Sequence, residues 1–245
     1  MADKLDNSFG KESVSPQERQ QRIRTLFNDV AGRYDLMNDI MSFGIHRLWK
    51  RRFVRGLPDH GLFVDLAGGT GDVAALAARV PGRQVVVCDP SLEMMRVGKA
   101  DPDHARVGWV CGEGERLPFA DGSVAALTVS FGLRNVTHLD EALREAHRVL
   151  VPGGRFACLE FSRPVAGFRP LYDLYSYLVI PRLGALVAGE PAAYQYLVES
   201  IRRFPPQKEF ARLLESAGFV DVHYRNLSLG IACIHTATRP PSGQE

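Results

Sequence analysis

From residue 62 onward, the chain alternates short apolar runs with segments of helical spacing. The apolar runs cover residues 62–66, 84–88, 107–110, 124–130 and 156–161. Segments with helical periodicity lie between them at 73–79, 92–99 and 139–150. Apolar strands that alternate with helices are typical of a parallel, doubly wound sheet that is covered on both faces. This alternation therefore predicts an α/β fold.

The two ends of the chain complete this architecture. Ser15-Pro16-Gln17-Glu18 has the pattern of a capping box with proline at the first helical position, so a helix is expected from residue 16. A second helix is expected over 45–56. After a helix over 208–217, two closing strands over 220–227 and 231–238 follow. We expect a mostly parallel, seven-stranded Rossmann-like sheet with an antiparallel C-terminal strand and an N-terminal helical cap.

Composition and charge exclude several classes of protein. Thirty basic residues against 28 acidic ones leave a formal net charge of +2, too small for a general nucleic-acid binder. The four cysteines are scattered, which argues against a disulfide scaffold, a zinc site or any other metal site. The N-terminus lacks the pattern of a leader, and the most apolar stretch, 171–187, is interrupted by Asp173, Pro181 and Arg182. A cytoplasmic protein without a membrane span is expected.

A glycine-rich turn follows the first apolar run. Asp65, Gly68, Gly69, Gly71 and Asp72 lie where that strand passes into a helix. Glycine lets a ligand approach the backbone closely, and the helix offers unpaired N–H groups at its start. Asp89 ends the next strand, where a carboxylate is needed to hold ribose hydroxyls. The turn predicts a site for a nucleoside-containing ligand.

The charge around the turn indicates which ligand is favoured. Gly69-x-Gly71-x-x-Ala74 also satisfies the dinucleotide fingerprint, so a nicotinamide-dependent oxidoreductase stays an alternative, as does a turn that binds nothing. A pyrophosphate would meet two carboxylates, Asp65 and Asp72, whereas the ammonium and sulfonium of S-adenosylmethionine would be attracted to them.

The residues after the third and fourth strands, 112–115 and 130–135, are expected to continue the pocket. No Asn/Asp-Pro-Pro-Tyr motif follows the fourth strand, which favours methylation of carbon or oxygen over an amine.

Several longer segments carry a resemblance to a known family. They are YDLMND at 34–39, SFGIHRLWK at 42–50, the turn at 65–72, SFGLRN at 130–135, LEFS at 159–162, YLVESI at 196–201 and AGF at 217–219. Together they resemble the ubiquinone/menaquinone biosynthesis C-methyltransferases. The resemblance implies transfer of a methyl group from S-adenosylmethionine to a ring carbon of a polyprenylated benzoquinol or naphthoquinol. It implies donor contacts at Thr70, Asp89, Glu113, Gly114 and Ser130. The family usually has Asp-Ala or Asn-Ala where this chain has Glu113-Gly114, at the residue that meets the adenine amino group.

Methylation of a ring carbon also requires removal of the proton from a neighbouring hydroxyl group. Phenolic hydroxyls titrate near 10, so a base or a positioned water should assist. We expect Arg134 and Asn135 to act at the acceptor, with Tyr34 closing over it. Arg134 is expected to stabilise the developing phenolate or to orient a water, and a purely structural ion pair is its alternative role. His46 and His235 are alternative bases, and a packed core histidine is the competing interpretation of each.

The predicted organisation is one domain. It comprises a mobile tail (1–14), a helical cap (15–60), a cofactor-binding half (62–163), a substrate-side insertion (164–205) and closing elements (206–238).

A basic run from Arg47 to Arg55 is either a solvated helix face or a contact with anionic lipid at the inner face of a membrane. The stretch 171–187 is expected to wall a channel for the isoprenoid tail or to pack on the sheet. The expected partner is a lipophilic quinol and not nucleic acid. A homodimer, a quinone-biosynthesis complex and a non-catalytic quinone-binding assembly protein are left open.

Overall fold

The computed structural model describes residues 8–9, 12–33, 36, 38–39, 42–170, 172, 174 and 191–243. Seven strands of this part form one sheet in the order β5-β4-β3-β6-β7-β9-β8. Every neighbouring pair is parallel except the two pairs that involve β9. The strands are β3 (Gly61–Leu66), β4 (Arg83–Asp89), β5 (Val107–Cys111), β6 (Val124–Ser130), β7 (Leu150–Phe161), β8 (Val220–Leu227) and β9 (Ala232–Thr238).

Helices cover both faces of this sheet. They are α1 (Pro16–Val30), α2 (Ile45–Val54), α3 (Asp72–Ala78), α4 (Leu92–Lys99), α5 (Leu139–Val149), α6 (Pro191–Arg203) and α7 (Gln207–Ser216). Helix α1 begins as its sequence predicts: the Ser15 side chain accepts a hydrogen bond from the Glu18 N–H, and Pro16 occupies the first helical position.

The central strands β3, β4 and β6 are largely buried on both faces, which explains their nearly continuous apolar sequences, whereas the edge strand β8 is mostly exposed. Successive residues of β3 enter opposite cores, with Val64 in one and Phe63 in the other. One core also receives helices α5 and α7, and the other receives α2, α3 and α4. Burial on both faces is the property of parallel sheets that removes the simple alternation of polar and apolar residues. The predicted α/β class, the seven strands and the antiparallel C-terminal strand are confirmed.

Two regions differ in detail from the sequence-based expectation. Ser8–Phe9 and Glu12–Ser13 pair as a short ladder, β1 and β2, within the tail that was expected to be mobile. The Phe9 ring stacks on Tyr196 at 4.8 Å between centroids, which holds this ladder against α6. Residues 151–154, between the helix expected over 139–150 and the strand expected over 156–161, lie inside β7, which starts at Leu150. The register between β6 and β7 shifts there, and Gly153 has φ of +78°. The glycines therefore make a bulge in the strand.

Candidate active site

A polar pocket lies at the carboxyl ends of β3, β4 and β6. Its lining comes from the turn after β3, from the ends of β4 and β6, and from one side of helix α1. We call it the polar pocket; its members include Gln20, Ile23, Arg24, Phe27, Lys50, Asp65, Gly68, Gly69, Asp72, Asp89, Ser91, Met94, Glu113, Gly114, Ser130, Phe131, Asn135 and Thr137. The carboxyl edge of an open α/β sheet is where such folds bind ligands.

The turn after β3 is shaped by close backbone approach. A Cβ at Gly68 would lie 2.8 Å from Asp65 Oδ2 and 3.0 Å from the Asp65 carbonyl oxygen. At Gly71, φ is +87° and a Cβ would meet the Trp109 ring at 2.7 Å. Gly68 therefore requires glycine for reasons of space, and Gly71 requires it for reasons of space and of backbone conformation. Gly68 lines the polar pocket, whereas Thr70 and Gly71, which were also expected to contact the donor, are not among the lining residues.

Asp89 connects the ends of two adjacent strands. Its Oδ2 accepts the Gly69 N–H at 2.9 Å and its Oδ1 accepts the Ser91 N–H at 2.7 Å. Burial raises the pKa of this carboxyl, and the two backbone hydrogen bonds oppose that rise. A carboxylate oxygen has two lone-pair directions, so each oxygen keeps one for a ligand. Asp89 thus holds the glycine turn in place and still presents acceptors to the polar pocket.

Two buried oxygen atoms in the wall of this pocket have no hydrogen-bond partner within the described part of the chain. They are Asp65 Oδ2 and Ser130 Oγ. The other oxygen of Asp65 accepts the Thr128 hydroxyl at 2.8 Å. Burial raises the pKa of Asp65 to about 7, although the Thr128 hydrogen bond opposes the shift. Unpartnered buried polar atoms are rare in native structures, and here both line a cavity that a polar ligand would fill.

The charge distribution at the turn differs from the one the sequence suggested. Lys50, on α2, pairs with Asp72 at 2.6 Å, and both side chains line the polar pocket. Burial acts to raise the pKa of Asp72, but the Lys50 ammonium outweighs it and the pKa is lowered. Asp72 is thus an ionised, compensated carboxylate. Of the two carboxylates, Asp65 is the one without a paired cation. The attraction for a positively charged ligand that was expected from both carboxylates therefore depends on Asp65.

Glu113 is engaged by the cap. Its Oε1 accepts a hydrogen bond from Arg24, on α1, at 2.7 Å. Both side chains line the polar pocket, so this ion pair closes one side of it. Gly114 has ordinary packing: a Cβ there would lie no closer than 3.5 Å to any neighbour. The structure therefore leaves room for the alanine that the resembling family usually carries at this position.

A second, apolar cavity lies on the other side of Phe131. It has a volume of about 340 Å³, and its lining is mostly aromatic and aliphatic. We call it the apolar cavity; its lining comprises Asn38, Ser42, Phe43, Ile45, His46, Trp49, Phe131, Phe161, Phe168, Tyr172, Leu197, Ile201, Ser228 and Ile231. Phe43, Ile45 and Ser42 come from the segment before and into α2, and Leu197 and Ile201 come from α6.

Phe131 is the residue common to both linings. It follows the last residue of β6 and has φ of +57°, a conformation that costs energy for a bulky residue. Its ring lies 4.5 Å from that of Phe161 and 6.3 Å from that of Trp49, measured between centroids. This strained residue therefore forms the partition at which the polar pocket and the apolar cavity meet.

Two of the three predicted catalytic residues, Arg134 and Asn135, belong to the described structure and lie in different places. Arg134 is 4% exposed and forms an ion pair with Glu160 at 2.8 Å, and it also donates to the Phe131 carbonyl oxygen. Arg134 lines neither cavity. Asn135 does line the polar pocket, and its Oδ1 accepts the Tyr196 hydroxyl at 3.0 Å. Tyr34 lies outside the described residues, as does most of the 171–187 stretch.

The two candidate histidines also separate. His46 lines the apolar cavity, whereas His235 lines neither cavity. The His235 ring packs edge-on against Phe210, and its Nε2 lies 3.0 Å from the Gln207 carbonyl oxygen. Burial lowers the pKa of each histidine to about 4. His235 therefore has the position of a packed core histidine, and His46 has the position of a site residue.

One buried residue of the site escaped the sequence analysis. Arg19, on α1, is 1% exposed. Its guanidinium donates to the carbonyl oxygens of residues 8, 134, 135 and 136 and to the Thr137 hydroxyl, at 3.0–3.3 Å. It therefore ties the cap helix to the loop after β6, next to the partition. In the sequence Arg19 is one of several charged residues in a polar helix, and no local pattern distinguishes it.

The described residues contain no group of three or more His, Cys, Asp and Glu side chains arranged to hold a metal ion. No helix in the described ranges is both long enough and apolar enough to cross a membrane.

Comparison with known proteins now adds to this geometry. Residues 15–239 match the model of the ubiE/COQ5 methyltransferase family. The chain belongs to this family. It is 62% identical over 237 residues to the ubiquinone/menaquinone biosynthesis C-methyltransferase UbiE of Rubrivivax gelatinosus, covering 96% of this chain and 94% of the relative. It is also 46% identical to the mitochondrial 2-methoxy-6-polyprenyl-1,4-benzoquinol methylase of Caenorhabditis elegans, covering 95% of this chain and 85% of that one.

Solved structures agree on the fold. A SAM-dependent methyltransferase from Thermotoga maritima superimposes with a TM-score of 0.64 at 20% identity, covering 89% of this chain and 99% of the other. Likeness at this identity concerns the fold alone. The predicted family and the predicted methyltransferase class are confirmed.

Proposed function

We propose that this methyltransferase moves the methyl group of S-adenosylmethionine to a ring carbon of a polyprenylated quinol, a benzoquinol or a naphthoquinol. The observation that carries the proposal is the meeting of a polar pocket and an apolar cavity at Phe131. A charged nucleoside donor suits the first and a lipophilic ring suits the second. The names of the relatives support the same chemistry.

The donor would lie in the polar pocket. Asp89 would accept the ribose hydroxyls, and Asp65 Oδ2 would accept the ammonium of the methionyl end. Ser130 Oγ and Glu113 would complete the contacts, with Gly68, Gly69 and Gly114 allowing close approach. Thr70 and Gly71 would act indirectly, through the shape of the turn. The positively charged sulfonium supplies an activated methyl group, and the protein's main task is to align it with the ring carbon.

The acceptor ring would lie in the apolar cavity next to the partition. We propose that Arg134 is a positioning residue that does not itself line the cavity. It donates a hydrogen bond to the Phe131 carbonyl oxygen, and its Cζ lies 5.5 Å from the centre of the Phe161 ring, so it holds both aromatic residues in place. Asn135 lines the polar pocket and its oxygen is occupied by Tyr196, so it would offer its amide N–H groups on the donor side of the partition. Contact of Tyr34 and of Arg134 with the acceptor stays a prediction.

Two alternatives make different demands on the same residues. A nicotinamide-dependent oxidoreductase would place a pyrophosphate at the turn beside Asp65 and Asp72. A non-catalytic quinone-binding protein would need only the apolar cavity. The polar pocket, with its unpartnered Asp65 and Ser130 oxygens, favours the methyl donor over both.

We also propose that the mouth of the apolar cavity contacts an anionic membrane surface at the inner, cytoplasmic face. Phe43 is 74% exposed although it lines the cavity, and Leu48 on α2 is 62% exposed. Arg51 and Arg52 on the same helix are exposed. Apolar side chains flanked by arginines suit the headgroup region of a bilayer that carries a lipophilic quinol. A homodimer or a quinone-biosynthesis complex stays a prediction, which light scattering of the purified chain tests.

The membrane proposal is tested by vesicle co-sedimentation with Leu48→Glu and with Arg51→Glu/Arg52→Glu. Binding to vesicles that contain anionic lipid should fall several-fold in each variant. Arg106→Glu, on an exposed residue between α4 and β5, is the matched control for a charge reversal and should bind as wild type. Equal binding by all the variants would contradict the proposed surface.

The enzymatic proposal is tested first by isothermal titration with S-adenosylmethionine and with NADH, using wild type and Asp89→Ala. Saturable binding of the methyl donor, absent for NADH and lost in the variant, is expected. A quinol methylation assay with a short-tailed acceptor and mass spectrometry of the product then follows. No donor binding at millimolar concentration would refute the enzymatic role, and binding without methylation would refute the proposed acceptor.

A further inference from the structure

His46 occupies an unusual position in the apolar cavity. Its side chain is 5% exposed and lies in a wall that is mostly aromatic and aliphatic. Of the described residues that line this cavity, only His46 has a side chain whose ordinary pKa lies near neutrality. Lys50, one helical turn further along α2, lines the polar pocket. His46 and Lys50 therefore lie on one side of α2, the first at the apolar cavity and the second at the polar pocket.

The hydrogen bonds around His46 determine which ring nitrogen carries the proton. The Ser42 hydroxyl lies 2.8 Å from the Asn38 carbonyl oxygen, which can only accept, so the hydroxyl donates to it. Ser42 Oγ lies 2.8 Å from His46 Nδ1 and must then accept from that nitrogen. Asp39 Oδ1, 3.8 Å from Nδ1, favours the same tautomer. In a neutral ring with Nδ1–H, the lone pair is on Nε2.

The charged groups near His46 are of both signs. Burial lowers its pKa to about 4, and Lys50 and Arg47 on the same helix act in the same direction. Asp39, from the segment before α2, and Asp72, on α3, act in the opposite direction. His46 is consequently neutral and able to accept a proton over the physiological range. Each of these carboxylates is itself paired, Asp39 with Arg47 and Asp72 with Lys50.

We propose that His46 Nε2 accepts the hydroxyl proton of the quinol while its ring carbon is methylated. The inference rests on the proposed function and adds the proton acceptor to it. The ring carbon forms a bond to the methyl group as the carbon–sulfur bond breaks, and the bonding electrons remain on sulfur. The hydroxyl proton passes to Nε2, which leaves a dienone. Loss of the ring proton to water and return of the His46 proton to oxygen restore the quinol.

A weak base is sufficient for this step because the hydroxyl proton leaves while the methyl group is being transferred to the ring. As the carbon–carbon bond forms, positive charge spreads into the ring, and the hydroxyl becomes far more acidic than a free phenol. A proton acceptor that is neutral at pH 7 and within reach of the hydroxyl then assists the transition state. The Arg134 guanidinium is not suited to this role, since it is held by Glu160 and is not deprotonated in proteins.

The test compares His46→Asn with His235→Gln. Asparagine can keep the Nδ1-side hydrogen bond to Ser42 while removing Nε2, and glutamine can keep the Nε2-side bond of His235 to Gln207. Each is assayed for donor Kd by titration and for the single-turnover rate of quinol methylation. We expect His46→Asn to lose about 10²- to 10⁴-fold in rate, the range for general base catalysis. Donor Kd should be unchanged, and His235→Gln should react as wild type.

A rescue experiment separates proton transfer from packing. In His46→Ala, added imidazole should restore turnover in proportion to its unprotonated fraction across pH 6 to 8. Rescue that ignores pH, or a rate for His46→Asn within threefold of wild type, would overturn the inference while leaving the proposed function intact. A wild-type chain that binds the donor but methylates no quinol would instead refute the proposed function, and this inference with it.

Discussion

The polar pocket and the apolar cavity are adjacent, yet they are built in different ways. The polar pocket is formed mainly by backbone turns and short side chains at the carboxyl ends of neighbouring strands, which the sheet holds in register. The apolar cavity is formed by large side chains from α2, α6 and the loops after β6, β7 and β8. One is a product of the sheet, and the other is a product of the elements added to it.

This difference has a consequence for recognition. A backbone turn needs particular residues at fixed spacing, so Gly68 and Asp89 can be found in a sequence. An apolar cavity needs only hydrophobic side chains of suitable size, drawn from distant segments, and many choices would serve.

The largest expected effect concerns Arg19, which ties helix α1 to the loop after β6 beside the polar pocket. Arg19→Met keeps the length of the side chain but leaves several buried carbonyl oxygens without donors, at a cost of about 3 kcal/mol. The free energy of unfolding from urea titration measures it. Arg22→Met, three residues along α1, removes exposed ion pairs with Glu12 and Glu18 and the contact of the guanidinium with the Phe9 ring, and should change the midpoint far less. Equal midpoints for the two variants would show that Arg19 does not tie the cap to the loop.

The second prediction breaks the polar pocket alone. Gly68→Ala forces a Cβ against Asp65, and overpacking of this kind costs about 1–3 kcal/mol. Donor Kd measured by titration should rise about 10- to 100-fold. Gly114→Ala is the control, because its Cβ would meet neighbours only at 3.5 Å, and its donor Kd should match wild type. Two variants with the same Kd would argue that the glycine turn does not contact the donor.

The third prediction uses the raised pKa of Asp65. With a pKa of about 7 before the donor binds, this carboxyl is protonated at lower pH and cannot pair with an ammonium. Donor Kd should therefore rise as the pH falls below 7, by a factor that approaches about tenfold per pH unit near pH 5, and should become flat only above about pH 8. Titration calorimetry across this range measures it. Asp65→Asn should bind weakly at every pH, and the same slope in that variant would assign the titration to another group.

The smallest expected effect is in the apolar cavity. Ile201→Ala removes three carbon atoms from its wall. The KM for a quinol should rise about 3- to 10-fold, which is about 1 kcal/mol in binding free energy, because the quinol would contact only part of this side chain. Donor Kd should not change. Ile23→Ala, in the polar pocket, should show the reverse pattern, with a weaker donor Kd and the larger effect there. A change in donor Kd for Ile201→Ala would mean that the two regions are not separable.

Much of the fold could be predicted, and the reason is visible in particular elements. Strand β3, the turn after it and Asp89 are encoded locally by an apolar run, by glycines and by one acidic residue. Less of the site could be predicted. The Lys50–Asp72 pair joins residues that are 22 positions apart, and the Arg24–Glu113 pair joins residues that are 89 positions apart. No local sequence pattern predicts either ion pair. The same holds for Glu160, which holds Arg134.

The sequence by itself determined the α/β class, the glycine turn with Asp65 and Asp89, and the family, because each depends on residue types at short and fixed spacing. Only the tertiary structure decided which carboxylate at the turn is compensated, that Arg134 is buried in an ion pair, and that His46 rather than His235 lines a cavity. Burial and pairing set these properties. Both depend on segments that lie far apart in the chain and meet only when the cap packs on the sheet.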